Sequence, residues 1–164
     1  MDLFLFHSIN GFAGKRRWLD CLGVFFARHL GYVLVLMLFL VSYFDKRPQL
    51  FLFAVLAGII SRFLINEIIY FFYKRKRPPE VVNAKTLIKT PKHPAFPSGH
   101  ASFFFSISFA VLPYNFSLGI IFIFLSSLIS FARIFAGVHW PSDILAGAGA
   151  GILSNLLIWI FFNL

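Results

Sequence analysis

Charge and cysteine are both scarce in this sequence. Of its 164 residues only 13% are Asp, Glu, Lys or Arg, and a single one is cysteine. A soluble domain carries about 25% charged residues, so this chain cannot wrap itself in a charged, wetted shell. A soluble nucleic-acid binder is excluded on that ground, despite a formal net charge of +9. Cys21 stands alone, which excludes an intramolecular disulfide framework. Acidic residues number only six and form no cluster, so neither a Mg²⁺ site nor any other cofactor is expected. Internal repeats and low-complexity linkers are absent, and residues 1–164 read as one domain. The start, Met1-Asp2-Leu3-Phe4, lacks the basic region of a signal peptide and reads as part of the mature chain.

What fills the sequence instead is apolar: 59% of residues, 24 of them phenylalanine, with a mean hydropathy of +0.83. No soluble interior of this size holds that excess. A membrane-spanning helix needs roughly 20 mainly apolar residues, and five stretches qualify, at about 19–44, 49–73, 98–112, 116–135 and 142–161. The third is short, so its start lies in a protein-lined depression or its end runs a turn past Leu112. Either way Ser98 sits near headgroup depth. Ahead of these, Leu3, Phe4, Phe6, Ile9 and Phe12 alternate with polar residues over a length suited to lying in the interface. The fold class that follows is all-α, a polytopic membrane helix bundle of about five transmembrane helices plus an amino-terminal interfacial helix.

The polar segments are uneven in charge. Between the second and third stretches lie Lys74, Arg75, Lys76, Arg77, Lys85, Lys89 and Lys92, with Pro78, Pro79, Pro91, Pro94 and Pro97 interrupting any helix. Five spans put this loop, Lys15-Arg16-Arg17 and the turn around His139 on one membrane face. That face carries 11 of the 15 Lys and Arg, against Lys46 and Arg47 on the other.

Three clusters meet on the basic face: Arg77-Pro78, Pro97-Ser98-Gly99-His100, and Arg133 to Asp143. In the second, Ser98 is a natural helix N-cap, Gly99 lets a ligand approach the backbone, and the first-turn N–H groups face outward, which makes an anion site. His100, in that first turn, can give or take a proton beside a bound phosphate. In the third, a helix starting near Trp140 puts Pro141 where its missing N–H costs nothing and sets His139 and Asp143 about one turn apart. That spacing suits a carboxylate bonded to an imidazole. The carboxylate fixes the tautomer, turns the other ring nitrogen to the substrate as nucleophile or base, and stabilises the cation that forms. Interfacial hydrogen bonding is the plainer reading of His100 and His139, but it leaves the arginines beside them unexplained. His7, His29 and His93 have no such neighbours and read as structural.

In this order the three clusters resemble the signatures of the type 2 phosphatidic acid phosphatase (PAP2) superfamily, over about residues 64–151. The segment Ile9-Asn10-Gly11-Phe12-Ala13-Gly14 resembles its bacitracin-resistance branch, the bacterial undecaprenyl-diphosphatases. The resemblance implies an enzyme hydrolysing undecaprenyl diphosphate to the monophosphate, which recycles the lipid carrier of bacterial cell-wall synthesis. It makes His139 the nucleophile that takes the phosphoryl group, with Asp143 orienting it. His100 protonates the leaving oxygen and then activates water against the phosphohistidine. Arg77 and Arg133 hold the equatorial phosphate oxygens, helped by Ser98 and the Gly99 backbone amide. This route stabilises charge without a metal. The implied partners are a polyprenyl or phospholipid phosphate and the bilayer, with no nucleic acid. Phosphatidylglycerophosphate, phosphatidate or lipid A is the rival substrate within the same chemistry. A non-catalytic lipid-binding or transport protein is the rival from another class.

Two positions depart from the family pattern. Tyr70 stands where the first signature has Lys, and Ala132 where the third has Ser. Lys74, one helical turn beyond Tyr70, is expected on the same face as a substitute phosphate ligand. Arg62 falls midway along the second stretch, where a charge costs about 2.5–3.5 kcal/mol on insertion scales, so it faces protein or a wet cavity. Asn66 and Tyr70 share its face. This polar stripe reads as a hydrogen-bond network or as a contact for substrate. Gly147 and Gly151, with Ala146, Gly149 and Ala150, fit close helix packing within the bundle. The positive-inside rule places the basic face in the cytoplasm, whereas the resemblance places the site at the outer surface of the cell membrane. Because many of those charges belong to a phosphate site, the resemblance decides.

Overall fold

A long apolar run must satisfy its own backbone N–H and C=O groups once it leaves water, which leaves these segments only the helix. The computed structural model describes residues 1–162 and shows helices and no strand among them. Helix α1 (Asp2–Asn10) precedes a bent pair, α2 (Arg17–Arg28) and α3 (Leu30–Phe44), which turns by 47° at His29. Helix α4 (Pro48–Ile60), a π-helical turn (Ser61–Ile65) and α5 (Asn66–Phe72) form one rod from Pro48 to Phe72. After the one-turn α6 (Pro78–Val81) and an irregular loop come α7 (Gly99–Val111), α8 (Phe116–Phe135) and α9 (Pro141–Phe162).

Three elements are long and apolar enough to cross a bilayer: Pro48–Phe72, Phe116–Phe135 and Pro141–Phe162. The α2–α3 pair makes a fourth if its bend is one broken crossing. The count of five expected from the sequence includes α7, whose 13 residues fall below the length criterion. The packing around α7 explains how so short an element lies at the centre. Ser102, Ser106 and Ser108 are fully buried on it, and each finds a partner on a neighbouring helix. The Asn66 amide donates to Ser102 Oγ at 2.8 Å, Ser106 pairs with Ser154 of α9 at 3.2 Å, and Ser108 pairs with Ser126 of α8 at 2.8 Å. A Cβ on Gly147 would lie 2.5 Å from the Ser98 carbonyl, so α9 rests directly on the α7 backbone, whereas Gly149 faces open space. Among apolar surroundings such close backbone contact and serine pairing hold helices together. Below the serines, Leu34, Leu38, Ala54, Ile107, Val111, Phe122 and Ile129 form the main apolar core.

Helix α1 is packed into the protein at two points. Phe6 is fully buried with its ring 5.0 Å from that of Trp140, while Leu3 and Phe4 stay exposed. At its end the buried Asn10 amide donates to the carbonyls of Lys85 and Phe135, both at 2.8 Å, and its oxygen accepts from Lys85 N–H at 3.0 Å. One side chain thereby fastens the basic loop to the end of α8, next to His139.

Candidate active site

The reversal from α8 to α9 is fixed by local chemistry. Gly137 has φ +77°, a left-handed conformation that glycine adopts without strain. Its N–H donates to the Ile134 carbonyl at 3.0 Å and the Val138 N–H to the Arg133 carbonyl at 3.2 Å, the paired bonds of a Schellman cap. The cap folds the chain back so that His139 returns beside Arg133. Pro141 then opens α9, and the Asp143 carboxylate reaches back to accept the Trp140 N–H at 2.8 Å, as a residue in a helix's first turn does for its cap. The Asp143 carbonyl also accepts the Ser98 N–H at 2.9 Å, so the second and third clusters are joined through the backbone.

His139 is 1% exposed and Asp143 0%. The His139 Nδ1 lies 3.4 Å from Asp143 Oδ2, and its Nε2 lies 3.1 Å from Arg77 Nη1. A guanidinium only donates, so Nε2 must accept and the ring proton belongs on Nδ1, facing Asp143. Burial, and after it the positive charges of Arg77 and Arg133, hold the His139 pKa well below the ordinary histidine value. The result is a neutral imidazole with its lone pair on Nε2 beside a guanidinium. An electrophile reaching that nitrogen meets a nucleophile and a cation together.

Arg77 is fully buried and anchored from two loops. It donates to the carbonyls of Val138 (2.7 Å), His93 (3.0 Å) and Pro94 (3.1 Å). Its Nη2 also lies 3.2 Å from His93 Nδ1. Burial lowers its pKa, opposed by nearby acidic groups. Arg133, at the end of α8, is 5% exposed; Nη1 reaches the Ala27 carbonyl at 3.4 Å, and Nε is buried without a protein partner among the described residues. A buried guanidinium N–H without an acceptor is where an anionic ligand would be held. Ser98 caps α7, its Oγ accepting from Ala101 N–H at 3.5 Å, and the Gly99 and His100 amides of that first turn have no intrahelical acceptor. His100 is half-buried beside Phe104.

The helical face expected to join Lys74 to Tyr70 is not there, although both residues line one cavity with His93. The helix ends at Phe72 and Tyr73 is extended, so positions 70 and 74 share no helical face and Lys74 stands exposed. Tyr70 turns inward and donates its hydroxyl to the Pro97 carbonyl at 2.8 Å. His93, read from the sequence as lacking neighbours, lies against Arg77 with its ring 5.4 Å from that of Tyr70.

Two residues to which the sequence reading gave no role at the site stand behind Asp143. Arg75 Nη1 donates to Asp143 Oδ1 at 2.7 Å and to Ser142 Oγ at 2.6 Å, while Nη2 donates to Asp2 Oδ2 at 2.6 Å. Asp2 in turn accepts the Ser142 N–H at 3.0 Å and a short hydrogen bond from the Ser142 hydroxyl. Helix α1 is thus coupled to the histidine–carboxylate pair by two charged residues. The sequence signal was an acidic residue at the start of α1 and an arginine two positions before Arg77, neither diagnostic alone.

The sequence profile of the PAP2 superfamily matches residues 50–164. The chain is 29% identical over its whole length to the undecaprenyl-diphosphatase BcrC of Bacillus subtilis, covering 86% of that protein. It is 27% identical over 97% of its length to a Bacillus licheniformis protein named bacitracin transport permease BcrC, covering 79% of it. Among solved structures, LpxE of Aquifex aeolicus superposes with a TM-score of 0.78 at 28% identity, over 97% of this chain and 94% of that one.

Proposed function

The chain belongs to the PAP2 superfamily, and on that premise we propose that it removes the terminal phosphate of undecaprenyl diphosphate, leaving undecaprenyl phosphate and orthophosphate. The observation that carries this reading is the convergence at His139, with one ring nitrogen toward Asp143 and the other 3.1 Å from Arg77. In the first step Nε2 attacks the terminal phosphorus in line with the bridging oxygen. The P–N bond forms as the P–O bond to the lipid phosphate breaks, and His100 gives its proton to the departing oxygen. Asp143 balances the charge that appears on the imidazole. In the second step His100 takes a proton from water, whose oxygen attacks phosphorus and returns the electron pair to Nε2. Arg77 and Arg133, with Ser98 and the Gly99 amide, hold the equatorial oxygens over which transition-state charge spreads.

The Bacillus licheniformis relative's name suggests transport instead. The site favours hydrolysis, because a binding surface for a lipid anion has no use for a neutral imidazole set 3.4 Å from a buried carboxylate. With α7 counted as a fifth pass, its start opening into a protein-lined depression, the two termini lie on opposite faces. The family resemblance supports an orientation with the site and the amino terminus on the outer face of the cell membrane and the carboxyl terminus in the cytoplasm.

Phosphate release in detergent from undecaprenyl diphosphate, phosphatidylglycerophosphate, phosphatidate and lipid A tests the reading. Fastest release is expected from undecaprenyl diphosphate, and none from His139→Gln. A faster turnover of another lipid would replace the substrate. Substantial turnover by the variant would remove His139 as nucleophile.

A further inference from the structure

Arg62 is the one cation of the membrane-embedded rod, ten residues before its end at Phe72, and the catalytic scheme gives it no task. It lies in the π-helical turn Ser61–Ile65. Such turns are rare and recur at functional sites, because the extra residue re-aims side chains relative to a regular helix. Here the turn sends Arg62 to the amino terminus of α7. A Cβ built on Gly99 would lie 2.9 Å from Arg62 Nη1 and 3.4 Å from its Cζ, so the missing side chain of Gly99 is the space the guanidinium fills.

No carboxylate among the described residues neutralises it. The ion pairs among the described residues belong to Arg75 and to His139, and the contact found for the Arg62 guanidinium is the ring of Phe63, 5.3 Å away. An unpaired charge at this depth needs an anion or water. Its field reaches the site: His93, whose pKa is lowered first by burial and then by Arg77, is lowered further by Arg62. Position 70 contributes no charge, since its tyrosine hydroxyl is committed to the Pro97 carbonyl.

We propose that Arg62 is a phosphate-binding residue of this site, holding an oxygen of the phosphoryl group that His139 attacks, from the α7 side where Gly99 admits it. The proposal rests on the phosphatase reading for its substrate. Arg77 and Arg133 approach from the loop and from α8, so Arg62 completes the positive charge around the group on the side of the α7 amides. A charge-assisted bond at that point strengthens as charge spreads over the equatorial oxygens, and it therefore acts in the transition state.

The test is phosphate release from undecaprenyl diphosphate together with inhibition by orthovanadate, measured on wild type, Arg62→Met, Arg62→Lys, Gly99→Ala alone and combined with Arg62→Lys, and His139→Gln. Arg62→Met is expected to lose roughly tenfold to a hundredfold in kcat/KM and to weaken vanadate inhibition by a similar factor. Arg62→Lys should recover part of both losses. Gly99→Ala fills the arginine's seat, and because Gly99 also presents an amide to the phosphate, the seat is read from a pair. Gly99→Ala should cost more in wild type than in Arg62→Lys, whose slimmer ammonium leaves the seat open. That comparison survives if Arg62→Met fails to fold. If wild type works and His139→Gln does not, the phosphatase reading stands. Arg62→Met within twofold of wild type, or an equal cost of Gly99→Ala in both backgrounds, would then overturn the role of Arg62 alone. If wild type releases phosphate from no lipid, the phosphatase reading falls. Protection of wild type against thermal unfolding by inorganic phosphate, reduced in Arg62→Met, would then still support Arg62 as an anion ligand, and equal protection would refute it.

Discussion

Replacing Arg75 by alanine removes nothing from the ring of groups around His139, yet it is expected to slow the reaction. The guanidinium makes three charge-assisted contacts, at 2.7 Å to Asp143, 2.6 Å to Ser142 and 2.6 Å to Asp2. The Asp143 side chain is 0% exposed, so an oxygen stripped of Arg75 finds little water to replace it. Breaking a fully buried ion pair costs about 3–5 kcal/mol. Two observations lower that figure. The Arg75 side chain is 22% exposed, which screens the pair, and Asp143 Oδ2 keeps its bond from Trp140 N–H at 2.8 Å. What remains is the value of one charged hydrogen bond, ~1.5–3 kcal/mol, or roughly a tenfold to hundredfold fall in kcat. The loss should appear in kcat with KM unchanged, because Arg75 positions Asp143 and through it His139. Arg75→Lys should recover part of it, since an ammonium pairs with Asp143 or Asp2 but cannot fork between them. Asp2→Asn, one step further from the imidazole, should cost less. Steady-state phosphate release in detergent reads all three. A folded Arg75→Ala enzyme with kcat within twofold of wild type would refute the reasoning, and a loss confined to KM would make Arg75 a substrate ligand instead.

Lys74 is exposed beyond the end of α5, so Lys74→Ala and Lys76→Ala should lower kcat/KM equally and by less than threefold; a large loss at Lys74 alone would restore it as a phosphate ligand. Single cysteines at the exposed Lys85 and Arg47, in a Cys21→Ser background, report orientation on intact cells. An impermeant maleimide should label the Lys85 site, and labelling of the Arg47 site alone would reverse the topology. Stability should fall in acid, because His139 and His93 are both held below the ordinary histidine value by burial. Above about pH 6.5 they are neutral in both folded and unfolded chains, and below it the unfolded chain takes up protons that the folded one refuses. The Tm in detergent should therefore drop between about pH 7 and pH 5.5, less steeply in His139→Gln, and an unchanged Tm across that range would contradict the burial of these rings.

What the sequence discloses about this site is what local chemistry decides. Ser98 caps α7 because its hydroxyl reaches an N–H three residues on, and Pro141 opens α9 with Asp143 turned back on Trp140 for the same kind of reason. His139 and Asp143 are four residues apart, so a helix start between them is enough to bring them together. The expected helical face through Tyr70 and Lys74 fails because the helix stops at Phe72. Arg77 is extended before Pro78, as pre-proline residues tend to be, and the chain straightens ahead of it. Hydropathy also leaves the place of α7 undecided, because it scores composition and not surroundings, and this short helix pairs its serines with its neighbours. The support behind the catalytic pair lies furthest from anything periodicity expresses. Arg75 meets Asp143 across 68 residues and Asp2 across 73, and Asp2 meets Ser142 across 140. Those contacts exist because Phe6 seats α1 against Trp140, so the packing of one apolar ring sets where a carboxylate of α1 stands relative to the nucleophile.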